Sequence, residues 1–153
     1  MNAIQILSSV LAVLAFGVSV FVAWTTYGQL QAARETARTQ NLFSLLRYLQ
    51  EGELHIARHT MLEQANRPYD TWTEAQNTIA RRVCSSFDFA GVLVRHGLVD
   101  SNVFLDFWGE PIRRLGAVLD PFLAANDYYW KDCYWLIQQA QQHKNKSVQG
   151  SPN

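Results

Sequence analysis

The residues best placed to hold a metal ion lie in "EGELHIARHTMLE", residues 51–63. Glu51, His55, His59 and Glu63 recur every four residues, and a histidine pair at that helical spacing can share one zinc ion. The hydrolytic form of this pattern puts a glutamate directly after the first histidine to act as general base, and here Ile56 stands in that position. On a helical wheel the stripe also falls away from Leu54, Ala57, Met61 and Ala65, the apolar face of the same helix. It reads first as a polar flank with slight support from pairs one turn apart. A metal site at His55 and His59 is the alternative.

The other reactive residue types are isolated. Cys84 and Cys133 are too few for a zinc site, and each lies among apolar or aromatic residues where a thiol behaves as a small hydrophobe. One bridge between them is available if the compartment is oxidising. His96 has no nucleophile beside it, and no phosphate-cradling glycine loop, "GxSxG" elbow or dinucleotide fingerprint occurs. Asp88 has no counter-charge three or four residues away on its own helix. It is expected to form a structural ion pair with Arg113 or Arg114, plain exposure being the alternative. Thirteen basic and thirteen acidic residues balance to +0, which is a poor footprint for nucleic acid. No catalytic residue and no cofactor is expected, and the chain reads as a non-enzyme.

The elements that carry these residues are helical throughout. Ala3 to Trp24 is apolar apart from Gln5 and three serines, and no charged side chain precedes Arg34. About 20 such residues cover a hydrocarbon core of roughly 30 Å. Trp24 and Tyr27 stand at the far end, where amphipathic rings favour headgroups. A cleaved signal peptide would start with basic residues and end its apolar run at a small-x-small site, whereas "VSVFVAW" runs on past Ala15-Phe16-Gly17. A membrane anchor is therefore expected. Arg34, Arg38 and Arg47 follow it and no base precedes it, which predicts the N-terminus outside and the body cytoplasmic at the inner membrane. In that reducing compartment both cysteines remain thiols. Ser8, Ala12, Ala15, Ser19 and Ala23 recur at steps of three or four, continuing through Thr26, Leu30, Ala33 and Ala37. Small residues so spaced form a seam over residues 8–37 along which the chain could bind itself or another protein.

Beyond Gln29 the apolar spacing stays helical. Leu42, Leu45, Leu46 and Leu49 form a stripe that Gly52 interrupts, and "NRPYD" at 66–70 marks a turn. The next helix starts at Thr71 or Thr73, since either fits a capping box, and buries Ile79, Val83, Phe87, Ala90 and Val94. Gly97 ends it, and Asp100 caps the one that follows. Gly109 and Pro111 should interrupt or kink that helix, and Asp120-Pro121 should start another. The last helix carries "DYYWKDCYWLIQQ", whose rings at Tyr128, Tyr129, Trp130, Tyr134 and Trp135 surround its axis. They serve either as core or as a surface for a partner. The polar run from His143 reads as a loose tail. The expected organisation is an anchor at 1–27, a helical stem at 28–50, an all-α bundle of four to five helices at 51–142 and a tail at 143–153.

Phe87, Asp88, Leu93, Val94, Gly97, Leu98, Asp100, Phe107, Trp108, Leu119 and Pro121 form a pattern of aromatic, acid, small apolar run and Gly-Leu corner. An aromatic-rich helix and a Leu-x-Pro turn follow. This pattern, after an anchor helix, resembles a bacterial domain-of-unknown-function family of small membrane-anchored helical proteins, the DUF4760 type. Pro111 and Leu115 depart from the larger apolar or aromatic residues of the family pattern. The resemblance implies no activity, cofactor or catalytic residue. The function expected is that of a single-span, membrane-anchored interaction or scaffold module. The alternatives are a membrane-tethered metal-dependent hydrolase and a phage-related protein that perturbs the bilayer.

Overall fold

A computed structural model describes residues 3–126 and 129–149, with side chains at 11, 14–126 and 129–145. Five α-helices follow one another: α1 (Ala3–Gln50), α2 (Gly52–Leu62), α3 (Glu74–Arg95), α4 (Ser101–Asn126) and α5 (Lys131–Gln149). A single 3-10 turn, Tyr69–Thr71, precedes α3, and the described residues contain no strand. The chain is all-α. It divides into two compact units, Met1–Ala37 and Arg38–Asn153.

In the first unit every described side chain is exposed, including Leu14, Phe16, Phe21 and Trp24. Its hydroxyls turn inward to the helix's own carbonyls: Ser19 donates to Ala15 O at 2.9 Å, and Thr25 to Val22 O at 3.0 Å and Phe21 O at 3.1 Å. Such back-bonding satisfies a polar side chain without any outside partner. Of the small-residue seam, Ala15, Ser19 and Ala23 are exposed, while the side chains of Ser8 and Ala12 lie outside the described residues. Among the described residues no helix is long and apolar enough to cross a membrane. The side chains at 3–10, 12 and 13 lie outside that set, and the stretch that remains mixes Val and Phe with Thr25, Thr26, Gln29 and Gln31.

The second unit is built from local signals that agree with its packing. Thr73, not Thr71, is the N-cap of α3: its hydroxyl accepts from Gln76 N while Gln76 Oε1 accepts from Thr73 N at 2.7 Å. The other end of that glutamine's amide donates to Gln64 Oε1 at 2.6 Å, which ties the turn after α2 to the start of α3. Gly97, at φ +67°, closes α3, with Leu98 N donating to Leu93 O and Gly97 N to Val94 O, both at 3.0 Å. These two bonds complete a Schellman ending. Asp100 Oδ1 then accepts from Val103 N at 3.0 Å and caps α4. Arg38 Nε donates to Gly97 O and Asn41 Nδ2 to Leu98 O, so the end of α1 is laced to this corner.

The core runs through Leu45, Leu49, Met61, Phe87, Phe104, Ile112, Leu119, Phe122 and Leu136. Leu45 and Leu49 are fully buried, and the last turns of α1 therefore belong to the bundle. A domain limit at residue 50, expected from the sequence, falls inside that unit. His143 is likewise part of α5, which runs through Gln149, and pairs with Asp106 at 2.8 Å; residues 150–153 of the expected tail lie outside the described residues. The largest correction concerns α4, which runs unbroken through both Pro111 and Pro121. Each proline deprives the carbonyl four residues earlier of its donor. Those carbonyls belong to Phe107 and Ala117, both exposed, where water can replace the missing bond. Burial of Leu105, Trp108, Ile112, Leu115, Leu119 and Phe122 along the other side holds the helix together.

Candidate functional site

Two polar constructions lie within the helical bundle, and they differ in how their charges are met. The first joins α3 to α5. Trp130 precedes the first turn of α5, and its indole has no acceptor with which to cap the helix. Asp88, half-buried in the middle of α3, supplies the cap instead. Its Oδ1 accepts from Asp132 N at 3.0 Å and from Cys133 N at 2.9 Å. A carboxylate here meets two orphan backbone donors and the positive end of the helix dipole at once. Gly91, one turn further along α3, clears the way for this approach, because a Cβ there would collide with the carbonyl oxygen of Asp132. Arg95, a further turn on, pairs with Asp132 Oδ1 at 2.9 Å. Across α5, Gly116 of α4 makes a similar allowance; a Cβ on it would stand 2.7 Å from Ile137 Cγ2.

The expected ion pair of Asp88 with Arg113 or Arg114 is thus replaced by a helix terminus. Arg113 turns instead to Glu110 and to Ala140 O, and among the described residues no ion pair joins Asp88 to either arginine. Beneath Asp88 the buried thiols of Cys84 and Cys133 are free and in contact. The hydrogen bond to Cys84 pushes the Cys133 thiol well above the ordinary thiol range, and burial and the charge of Asp88 add to the effect. Cys133 is therefore not set up as a nucleophile. Of the aromatic cluster, Trp130 and Trp135 lean on the core, with Arg95 5.9 Å from the Trp135 ring, while Tyr129 and Tyr134 face outward. Tyr128 lies outside the described residues.

The second construction lies between α2 and α4. His55, His59, Arg58, Trp108, Glu110 and Arg114 surround a cleft of about 270 Å³, with Leu62, Pro111 and Leu115 as apolar wall. Arg58 is only 7% exposed, and its Nη1 has no hydrogen-bond partner. Its guanidinium lies 4.8 Å from the centre of the Trp108 ring, a cation–π contact, and desolvation pulls its pKa below the ordinary arginine value. His55 and His59 are exposed at the rim, where His59 Nδ1 stands 3.4 Å from Glu63 Oε1. Among the described residues no group of three or more His, Cys, Asp or Glu is disposed to hold a metal ion. Sequence reasoning missed Arg58. The signal was present, since Leu54, Arg58 and Met61 stand at i, i+4 and i+7 on one face.

The corner at Gly97 and Asp100, the core of α3 and α4, and the cap at Asp88 all lie within the stretch that the family match covers. Residues 9–148 match the family described as Domain of unknown function (DUF4760). The chain belongs to this family. Membership in DUF4760 assigns no activity. No curated protein and no solved structure matches the chain.

Proposed function

We propose that residues 3–24 anchor the chain in a membrane and that the helical bundle acts there as a non-enzymatic contact module. The observation that carries this reading is the exposure of large apolar side chains around most of one helix's circumference. Phe16 is 72% exposed, Phe21 67% and Trp24 77%, with Leu14, Val18, Val20 and Val22 filling the directions between them. Water-exposed apolar surface of that extent demands a covering phase or partner. The internally satisfied hydroxyls of Ser19 and Thr25 suit a lipid environment, where an unmet polar group is costly. Arg34 and Arg38 behind the span favour a cytoplasmic bundle at the inner membrane, with the N-terminus outside. Along the span, Ala15, Ser19 and Ala23 offer a close-approach seam for a second copy.

Membrane fractionation of the full chain tests the anchor. The protein should resist extraction by alkaline carbonate and enter solution only with detergent, and removal of residues 1–27 should release it. Recovery of the full chain in the soluble fraction without detergent would refute the anchor. Crosslinking in native membranes tests the seam: Ala15→Leu with Ala23→Leu should reduce a homodimer band, and an unchanged band excludes this face.

A further inference from the structure

A desolvated cation is costly unless an anion meets it, and Arg58 has none of its own. Glu110, the carboxylate on the cleft's lining, is paired with Arg113, while Glu63 pairs with His59 and Glu53 with Arg82 at 3.1 Å. Arg58 nevertheless lines an open cleft, with its Nη1 buried behind the wall and Trp108 bracing one face of the guanidinium. Stacking of this kind fixes the plane of the fork and leaves its edge to bind a planar or tetrahedral oxyanion in bidentate fashion. Arg114 adds a second cation from α4, and His55 and His59 add ring nitrogens at the mouth.

The geometry points to an anion-binding cleft between α2 and α4, in which Arg58 and Arg114 take the carboxylate or phosphate of a small organic ion. The apolar wall of Leu62, Pro111 and Leu115 receives the body of that ion. At about 270 Å³ and open to solvent, the cleft has room for a single ring or a short chain beside its charged head. The cleft lies wholly within the unit that begins at Arg38. Its test therefore does not depend on whether residues 3–24 enter a membrane.

Thermal unfolding of the full chain in a neutral detergent, at constant ionic strength, provides the readout. Phenyl phosphate should raise the midpoint saturably, as a ligand of the folded state must, and uncharged phenol should not. Arg58→Met should weaken the effect about tenfold or more, the scale of a charged hydrogen bond lost from a buried site. Arg114→Gln, a change at an exposed position that leaves the core intact, should weaken it about threefold. Nanodiscs separate the two sources of such an anion. An Arg58-dependent rise on changing from phosphatidylcholine to phosphatidylglycerol, with no added phenyl phosphate, assigns the cleft to a lipid headgroup. A rise produced by phenyl phosphate in phosphatidylcholine discs assigns it to a soluble ion. The proposal fails if no saturable shift occurs up to about 10 mM in any of these settings, a range that covers even weak binding. It fails equally if Arg58→Met retains the full shift.

Discussion

Asp88 and Arg58 are both charged residues set on the inward side of a bundle helix, yet the fold treats them oppositely. Asp88 stands against the start of α5, where two backbone donors fill its inner oxygen. Arg58 stands against a tryptophan face, with one nitrogen that nothing in the described chain meets. A charge answered by a helix terminus holds two elements in register. A buried charge left unmet beside a cleft is a demand on something outside the chain. The contrast separates a structural charge from a recognition charge without reference to any motif.

The strongest way to break the contrast is to deny α5 its seat. Gly91→Ala drives a methyl group into the Asp132 carbonyl and should cost about 2–3 kcal/mol, the upper range of overpacking, measured by urea or thermal unfolding in mild detergent. Asp88→Ala should cost about 1–2 kcal/mol, as a lost cap does, with Asp88→Asn retaining most of the stability because asparagine caps nearly as well. A cost from Asp88→Asn equal to that from Asp88→Ala would show that charge, and not the accepted hydrogen bonds, holds the helix.

Alkali should act on the same region more gently. The Cys133 thiol is held protonated in the folded state, so the unfolded chain loses its proton first. The stability contributed by this thiol is complete below the unfolded value and declines as pH rises through the range above about 8.5, by about 1 kcal/mol per pH unit. Cys133→Ser should flatten that slope. The smallest effect is expected at Arg58. In the absence of an anion, Arg58→Met should leave stability within about 1 kcal/mol or raise it, because an apolar residue relieves an uncompensated charge. A loss of more than about 3 kcal/mol would instead mark Arg58 as a structural member of the core.

Much of the helical frame was legible because short-range chemistry decided it. Thr73 with Gln76, Gly97 with Leu98, and Asp100 with Val103 are each settled within a few residues. The stripe at Leu45 and Leu49 announced a buried face. Reading failed where a long-range partner overrode a local rule. Pro111 and Pro121 looked like breaks, but the apolar period from Leu105 through Ile112 and Leu119 to Phe122 runs across both, and packing of that side outweighs two lost bonds. Asp88 prompted a search for an arginine because counter-charges have letters in a sequence, whereas a helix terminus has none. Arg58 was missed because His55, about one turn before it, and His59, directly after it, marked that flank as solvent-facing. The domain match over residues 9–148 agrees with the resemblance read from the corner and the aromatic helix.

The bond from Asp88 to the start of α5 also sets an order of events during synthesis. Forty-four residues separate the carboxylate from its first donor, so α3 is complete long before the ribosome delivers Asp132. Until then the carboxylate and Gly91 form an empty berth, and the apolar sides of α3 and α4 that α5 will cover face solvent or a chaperone. Domains close only when their last element arrives. Here that element is the C-terminal helix, and a chain cut short before Lys131 leaves the berth permanently vacant. Premature termination should therefore yield an aggregation-prone fragment, not a smaller working bundle.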